Sequence, residues 1–121
     1  MARRHRYHIV TDPNDRGCRP GETLATRELA VIQRWAAERG AVPATVPGTE
    51  HEGRPGVLAL DFPGFKEKGL QPISWEEWFK TFQVRHLWFL YQERLRDGRP
   101  SNFYKVVPAQ YVEEAAPAQS M

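Results

Sequence analysis

The stretch Ile73-Ser74-Trp75-Glu76-Glu77-Trp78-Phe79-Lys80-Thr81-Phe82 carries the clearest structural signal in the chain. Ser74, with Glu77 three residues later, is a capping box, and Ile73 with Trp78 is a hydrophobic staple across the same helix start. Four aromatic residues then recur at i, i+3, i+4 and i+7, namely Trp75, Trp78, Phe79 and Phe82. The pattern predicts a helix over residues 75–86 that turns its rings onto a β-layer formed by its neighbours in the chain.

Apolar segments on both sides of this helix supply the β-layer. Residues 57–62 contain five apolar residues out of six, which is typical of a strand covered on both faces. Residues 87–92 are apolar on both alternating faces, as in a central strand. The Asp97-Gly98 pair is a turn signal, and residues 102–107 follow it as a returning strand. We therefore expect 87–92 and 102–107 to form a β-hairpin.

A second helix precedes these strands. Apolar residues recur with helical spacing over residues 26–39, at Leu29, Ile32 and Ala36. Thr26 is placed as the N-cap of this helix, and Gly40 follows its last residue as a C′ glycine.

Residues 42–47 read as an extended segment with two prolines. Pro43 and Pro47 each lack a backbone N–H, so neither can donate to a β-ladder. This predicts a strand at the edge of the sheet or an extended loop.

Together these elements define an α+β fold. We expect a single small domain over residues 26–108, with two helices packed on a three- or four-stranded sheet in the order α-β-β-α-β-β. A length of 121 residues fits one domain rather than two. Residues 1–25 are predicted to be a flexible, basic N-terminal arm, in which residues 7–11 are a candidate for one short strand. Residues 109–121, rich in Ala, Pro, Gln and Glu, are predicted to be a disordered tail.

Charge is unevenly distributed along the chain. Residues 1–20 hold five arginines against two aspartates, whereas the remaining residues hold 12 basic and 13 acidic side chains. The basic character therefore belongs to the arm, and the nearly neutral body has no overall field that would attract nucleic acid or a membrane.

Cysteine usage and hydropathy bear on the compartment. Cys18 is the only cysteine, which excludes an intramolecular disulfide and a four-thiolate zinc site, and a lone thiol is typical of a reducing compartment. No apolar run approaches the roughly 20 residues that a membrane-spanning helix needs. The N-terminus also lacks the apolar stretch of a signal peptide. We expect a cytoplasmic protein without a membrane partner.

No convergent catalytic set is visible in the sequence, which favours a protein that is not an enzyme. The residues that a metal ion would use are Cys18, His5 and His8, with a fourth ligand from Asp12, Asp15 or elsewhere in the chain. They lack the spacing of a recognised metal-binding motif. We therefore expect surface residues here, with no metal and no cofactor.

One enzyme hypothesis stays open, and it centres on Asp61. This residue ends an apolar strand, where α/β proteins often hold functional groups, whereas a polar side chain pointing outward at a strand end is the commoner explanation. A pocket lined by Asp61 and His51, from the glycine-rich loop 48–56, would support the enzyme hypothesis.

Two basic clusters are candidates for contact with nucleic acid. In the arm, guanidinium groups suited to phosphates are those of Arg3, Arg4 and Arg6. In the hairpin over residues 96–105, charges and a ring that could stack on a base are supplied by Arg96, Arg99, Tyr104 and Lys105. The alternative for the hairpin is a solvated edge strand protected by its charges.

Several motifs occur in order over residues 26–107: Ile32-Gln33-Arg34-Trp35-Ala36, Gly48-Thr49, Pro55-Gly56-Val57-Leu58, Asp61-Phe62-Pro63-Gly64, Ile73-Ser74-Trp75-Glu76-Glu77-Trp78-Phe79, Phe89-Leu90-Tyr91-Gln92, Asp97-Gly98 and Ser101-Asn102-Phe103. In these motifs the chain resembles a family of short, uncharacterised bacterial proteins. Similar sequences sometimes carry the label glucan branching enzyme, although the barrel of such an enzyme typically takes about 250 residues. The resemblance implies no activity for this chain, and the arm and the tail lie outside it.

Two functional hypotheses follow. The first is a non-enzymatic cytoplasmic interaction module that meets a protein partner through its α/β body and the edge strand at 42–47. The alternative is a small nucleic-acid-binding protein that uses the basic arm and the 96–105 hairpin.

Overall fold

The computed structural model describes residues 7–64 and 69–113. Within these ranges the elements are, in chain order, β1 (His8–Ile9), β2 (Leu24–Thr26), α1 (Leu29–Glu38), β3 (Val42–Thr45), β4 (Leu58–Asp61), β5 (Gln71–Pro72), α2 (Trp75–Val84), β6 (Leu87–Tyr91), β7 (Tyr104–Pro108) and α3 (Gln110–Glu113). The α+β class predicted from the sequence is confirmed.

The described residues divide into two compact units. The four-stranded unit comprises residues 7–32 and 86–113, and the three-stranded unit comprises residues 33–64 and 69–85. Each contains one β-sheet. Helix α1 has residues in both units.

The sheet of the four-stranded unit has the order β1-β2-β6-β7. β1 is parallel to β2, whereas β2 with β6 and β6 with β7 are antiparallel. β6 and β7 pair from Leu87 with Pro108 to Tyr91 with Tyr104. The predicted hairpin is therefore confirmed, and β6 is central because its side chains are buried on both faces.

One face of this sheet forms an apolar cluster. Its buried members are Ala25, Trp88, Leu90, Val107 and Val112. Because side chains alternate along a strand, Trp88 and Leu90 of β6 share this face while Phe89 and Tyr91 point to the other.

Helix α3 is anchored to the end of the hairpin. Val112 is fully buried, the indole Nε1–H of Trp88 donates to Glu113 Oε2 at 2.9 Å, and the N–H of Ala109 donates to the carbonyl of His86 at 2.9 Å. Residues 109–113 therefore differ from the expectation of a disordered tail, while 114–121 lie outside the described residues.

Residues 7–25 also differ from the expectation of a flexible arm, because they supply two strands of the sheet. β1 lies within the candidate strand at residues 7–11, whereas β2 was not predicted. Val10 is fully buried, its N–H donates to the carbonyl of Ala25 at 2.8 Å, and its own carbonyl accepts the Thr26 hydroxyl at 2.7 Å. Strands of two and three residues are too short to show an alternating pattern, so the sequence signal is weak. Arg3, Arg4 and Arg6 lie outside the described residues.

The sheet of the three-stranded unit has the order β4-β3-β5. The expectation that residues 42–47 form an edge is wrong, because β3 pairs with β4 on one side and β5 on the other. The sheet tolerates Pro43 at this central position for two reasons. The carbonyl of Pro43 still accepts the N–H of Ile73 at 3.1 Å. The backbone N–H that proline lacks would lie at the end of β5, which has only two residues, so little pairing is lost.

Helix α2 packs on this sheet through its aromatic residues. Trp78 and Phe82 are fully buried and stacked at 5.3 Å, and the Trp78 indole donates to the carbonyl of Ala59 at 3.0 Å. Trp75 and Phe79 are half-buried. The predicted cap is confirmed, since the Ser74 hydroxyl accepts the N–H of Glu77 at 3.0 Å.

Helix α1 is shorter at its start than the sequence predicts. Thr26 is not its N-cap: it is the last residue of β2, and its hydroxyl accepts the N–H of Glu28 at 3.0 Å. The end is as predicted. Gly40, at φ +71°, allows a Schellman motif, in which the N–H of Gly40 reaches the carbonyl of Ala37 and that of Ala41 reaches the carbonyl of Ala36.

The main difference from the predicted architecture is that β4 and β6 belong to different sheets. The sequence suggested a crossover from β4 through α2 to a neighbouring parallel strand. Instead, β2 occupies the place beside β6, with Leu24 paired to Tyr91 and Thr26 to Phe89. The residues that complete this sheet are those that sequence patterns assign to the arm and the helix cap.

Candidate functional site

Two aspartates order the first half of the loop between β1 and β2, residues 12–22. Asp12 Oδ1 accepts the N–H of Asn14 at 2.9 Å, and Asp15 Oδ1 accepts the N–H of Gly17 at 3.0 Å. Both are Asx-turns, in which a side-chain oxygen replaces a backbone acceptor two residues earlier.

Glu22 orders the second half of the 12–22 loop. Its Oε1 accepts the backbone N–H of Cys18 at 2.6 Å and that of Arg19 at 3.4 Å. Its Oε2 lies 3.2 Å from Nδ1 of His8 on β1. The loop is thus held by side-chain to backbone bonds rather than by a ladder.

His8 lies between two carboxylates, because its Nε2 is 3.0 Å from Asp15 Oδ2. A carboxylate only accepts, so an imidazole that donates to both must carry two protons. Burial lowers the pKa of His8, but hydrogen bonds and charges from Asp15 and Glu22 outweigh burial and raise this pKa above its ordinary value. Burial raises the pKa of Glu22, but the N–H groups of Cys18 and Arg19, together with His8, lower it overall.

The loop also brings a sulfur atom to this cluster. One ligand atom each from His8, Cys18 and Glu22 lie within 4.8 Å of one another. The sequence suggested His8 and Cys18 as members of a metal set, with His5 and an aspartate. His5 lies outside the described residues, and Glu22 was missed because its spacing from the others matches no common motif.

The 12–22 loop docks on the end of the β6–β7 hairpin. The N–H of Gly21 donates to the carbonyl of Arg94 at 2.8 Å, and the Gln92 side chain donates to the carbonyl of Gly21 at 3.3 Å. Gly21 adopts φ +83°, and a Cβ there would come within 2.6 Å of Cγ of Arg96. Glycine at this position lets the two loops meet.

This docking gathers an arginine surface, defined as Arg16, Arg19, Arg94, Arg96 and Arg99, all exposed. Two carboxylates lie among them. Arg16 Nη1 is 3.5 Å from the buried Glu93, and Arg99 Nε is 2.8 Å from Asp97. Arg19, Arg94 and Arg96 form no ion pair with any residue in the described part of the chain.

The structure brings together only part of the predicted nucleic-acid site. Arg96 and Arg99 lie on the arginine surface, which also takes Arg16 and Arg19 from the segment read as an arm. Arg94 was missed, since no pattern distinguishes it from a solvated charge. The remaining predicted arginines, Arg3, Arg4 and Arg6, lie outside the described residues.

The two aromatic residues at the start of β7 point to opposite faces. The Tyr104 ring is half-buried and stacked on Phe89 at 5.8 Å, so one of its faces is occupied. Phe103 is 41% exposed and lies beside the hairpin end, since its carbonyl accepts the N–H of Gln92 at 3.3 Å. Lys105 is exposed on the same side of the strand as Phe103.

The three-stranded unit contains an ordered β3–β4 connection. The N–H and carbonyl of His51 both bond to Arg54, at 3.1 and 3.0 Å, around Glu52 at φ +54° and Gly53 at φ +76°. Positive φ at both central residues defines a type I′ turn. At the base of the connection, the Thr49 hydroxyl accepts the N–H of Val57 at 2.9 Å.

A cavity of about 480 Å³ lies between this connection and α2, lined by Gly53, Arg54, Pro55, Glu77, Lys80, Thr81, Val84 and Arg85. The Arg85 guanidinium donates to the carbonyls of Pro55, at 2.5 Å, and Gly56. Neither Asp61 nor His51 lines this cavity. It gives no support to an enzyme site centred on Asp61.

No family model, curated protein or solved structure matches the chain. Among the described residues, no helix has the length and apolar character needed to cross a membrane.

Proposed function

We propose that this chain is a non-enzymatic, cytoplasmic binding protein that holds a single-stranded nucleic acid on the arginine surface. The proposal is based on the hydrogen bonds of Gly21 with Arg94 and Gln92, which bring arginines from two distant parts of the sequence together. The exposed free thiol of Cys18 supports the cytoplasmic part of the proposal.

The charge balance of this surface favours a polyanion. The carboxylates of Glu93 and Asp97 are already paired with Arg16 and Arg99. The guanidinium groups of Arg19, Arg94 and Arg96 remain for phosphates, which they bind in a bidentate manner. The release of counterions from a strand would supply most of the affinity.

An exposed aromatic beside the arginines favours a single strand over a duplex. Phe103 is exposed, and its backbone carbonyl accepts the N–H of Gln92, whose side chain contacts Gly21 of the docked loop. Unpaired bases stack on such rings and on guanidinium planes. Tyr104 is less suited to this role than the sequence suggested, because its ring already stacks on Phe89.

The hypothesis that the chain binds a protein partner has less support. One surface expected for such a partner, residues 42–47 as a free edge open to strand addition, is absent because β3 is paired on both sides, which leaves the rest of the α/β body. A protein partner therefore becomes an outcome of the test rather than its premise.

Fluorescence anisotropy with a labelled single-stranded oligonucleotide tests the proposal. The double variant R94Q/R96Q removes two charges but keeps Cβ and Cγ of both side chains, so the packing of position 96 over Gly21 is preserved. We expect its affinity at low salt to fall at least about tenfold. The matched control, R54Q/K80Q, removes two exposed charges from the cavity of the three-stranded unit and should bind like the wild type.

Equal loss in both double variants, or no binding by the wild type at low salt, contradicts the proposal. A pull-down at low salt with and without nuclease separates the partner classes. A protein that is retained after nuclease treatment and is unaffected by R94Q/R96Q would favour the interaction-module hypothesis instead.

A further inference from the structure

We propose that His8, Cys18 and Glu22 form a binding site for one divalent transition metal ion of the zinc type. Their ligand atoms lie within 4.8 Å of one another, although the residues come from a strand and from two positions of the 12–22 loop. Nitrogen, sulfur and carboxylate oxygen are the three ligand types that Zn²⁺ takes in proteins.

The distance between two of the ligands already suits a metal. Nδ1 of His8 and Oε2 of Glu22 are 3.2 Å apart. Two ligands at about 2.0–2.1 Å from a tetrahedral zinc ion lie about 3.3 Å from each other. A metal between these atoms would replace the proton that they share. The Cys18 sulfur lies within 4.8 Å of the ligand atoms of His8 and Glu22, so its coordination requires a closer approach by a change of side-chain rotamer.

The other groups in the cluster have the orientation of outer-sphere partners. Asp15 Oδ2 lies 3.0 Å from Nε2 of His8, so it accepts the N–H on the nitrogen that faces away from the metal. Such a carboxylate fixes the tautomer and the ring orientation of a metal-bound histidine. Glu22 Oε1 is held by the N–H groups of Cys18 and Arg19, which leaves Oε2 for the ion.

The ligand set also narrows the choice of metal. A thiolate disfavours Mg²⁺ and Ca²⁺, which take oxygen ligands, and the mixed set suits Zn²⁺ or Co²⁺. Three protein ligands leave the fourth position of a tetrahedral ion for water. The site shares a loop with Arg16 and Arg19 but uses none of the arginine surface, so it does not depend on nucleic-acid binding.

Titration of the reduced full-length chain with Co²⁺ under anaerobic conditions tests the site. We expect one ion per chain, visible bands of tetrahedral Co²⁺, and a near-ultraviolet charge-transfer band from the Cys18 thiolate. Zn²⁺ should displace the Co²⁺ and protect Cys18 from a thiol reagent.

Variants separate a metal site from a purely structural cluster. C18S keeps the backbone N–H that bonds to Glu22, so the loop should stay folded while the charge-transfer band is lost. D15N should weaken Co²⁺ binding by about 10- to 100-fold without removing that band. H51Q is the control, because the His51 side chain is 81% exposed in the other unit, and it should leave the titration unchanged.

Three results would overturn the proposal: a Co²⁺ spectrum without the thiolate band, a spectrum that C18S leaves intact, or no binding of Co²⁺. In the third case the cluster is an imidazolium held by two carboxylates and has no metal. None of these results bears on R94Q/R96Q, so this proposal and the proposed function can fail separately.

Discussion

His8 is the residue that links a strand to the 12–22 loop. Its ring reaches Asp15 and Glu22 with both nitrogens, and Glu22 in turn holds the N–H groups of Cys18 and Arg19. Without metal, this arrangement holds only while the imidazole carries two protons. The link between β1 and the 12–22 loop therefore depends on the protonation of His8.

We expect the metal-free chain to lose stability as pH rises above 6.5, the ordinary pKa of histidine. The folded state holds the His8 proton more tightly than the unfolded state, because the pKa is raised above 6.5 on folding. The contribution is therefore complete below pH 6.5 and is lost as pH rises through the folded pKa. Urea unfolding at several pH values measures it.

The variant H8Q should lack this pH dependence, while H51Q, which changes an exposed histidine, should keep it. A decline in the stability of H8Q as steep as that of the wild type would assign the effect to another group.

Glu22 affects stability in the acidic range instead. Because its pKa is lowered on folding, its contribution to stability is present above pH 4.5 and is lost as pH falls below that value.

At the scale of the element, α2 depends on its cap. The Ser74 hydroxyl satisfies the N–H of Glu77, one of the four that a helix start leaves without an internal partner. We expect S74A to lower the free energy of unfolding by about 0.5–2 kcal/mol. S74D, which keeps an acceptor at this position, should lose much less, and urea denaturation of both variants provides the comparison.

The type I′ turn of the β3–β4 connection carries a residue unsuited to its conformation. Glu52 adopts φ +54°, which costs a non-glycine residue roughly 1–2 kcal/mol, and asparagine tolerates it better. We expect E52N, which creates the Asn-Gly pair favoured in such turns, to raise the free energy of unfolding. Thermal unfolding measures the gain, and a lower melting temperature would contradict this account of the turn.

At the scale of the whole molecule, the formal net charge is only +2, so the contribution of each cationic side chain to nucleic-acid binding depends on where it lies. The logarithm of affinity for a single strand falls with the logarithm of salt concentration, with a slope of about −0.7 per phosphate neutralised. We expect R94Q/R96Q to reduce the magnitude of this slope by about 1.4, and R54Q/K80Q to leave it unchanged. Anisotropy titrations at four or more salt concentrations give both slopes.

Sequence patterns predicted the parts of the fold that rest on periodicity and local chemistry. The aromatic stripe of α2, its Ser74 cap, Gly40 and the β6–β7 hairpin all follow from neighbouring residues. Long-range pairing was not predictable in the same way. β2 has three residues, and its pairing with β1 and β6 makes it a strand rather than a helix cap.

The same distinction applies to the candidate sites. Arg96 and Arg99 were predicted because they lie next to each other in one hairpin. Arg94 was missed, and Arg16 joins the surface only because the 12–22 loop docks on that hairpin through Gly21. A contact between residues more than 70 positions apart leaves no periodic signal in a single sequence.

The two-residue strand β1 has a consequence for local opening. Val10 is tied to β2 by its amide to Ala25 and by the Thr26 hydroxyl, and little other ladder holds the segment. We expect it to separate from the sheet in brief excursions while β6 and β7 remain paired. Because the same segment supplies His8 and leads into Arg16, any ligand of either site would slow deuterium uptake at the Val10 amide.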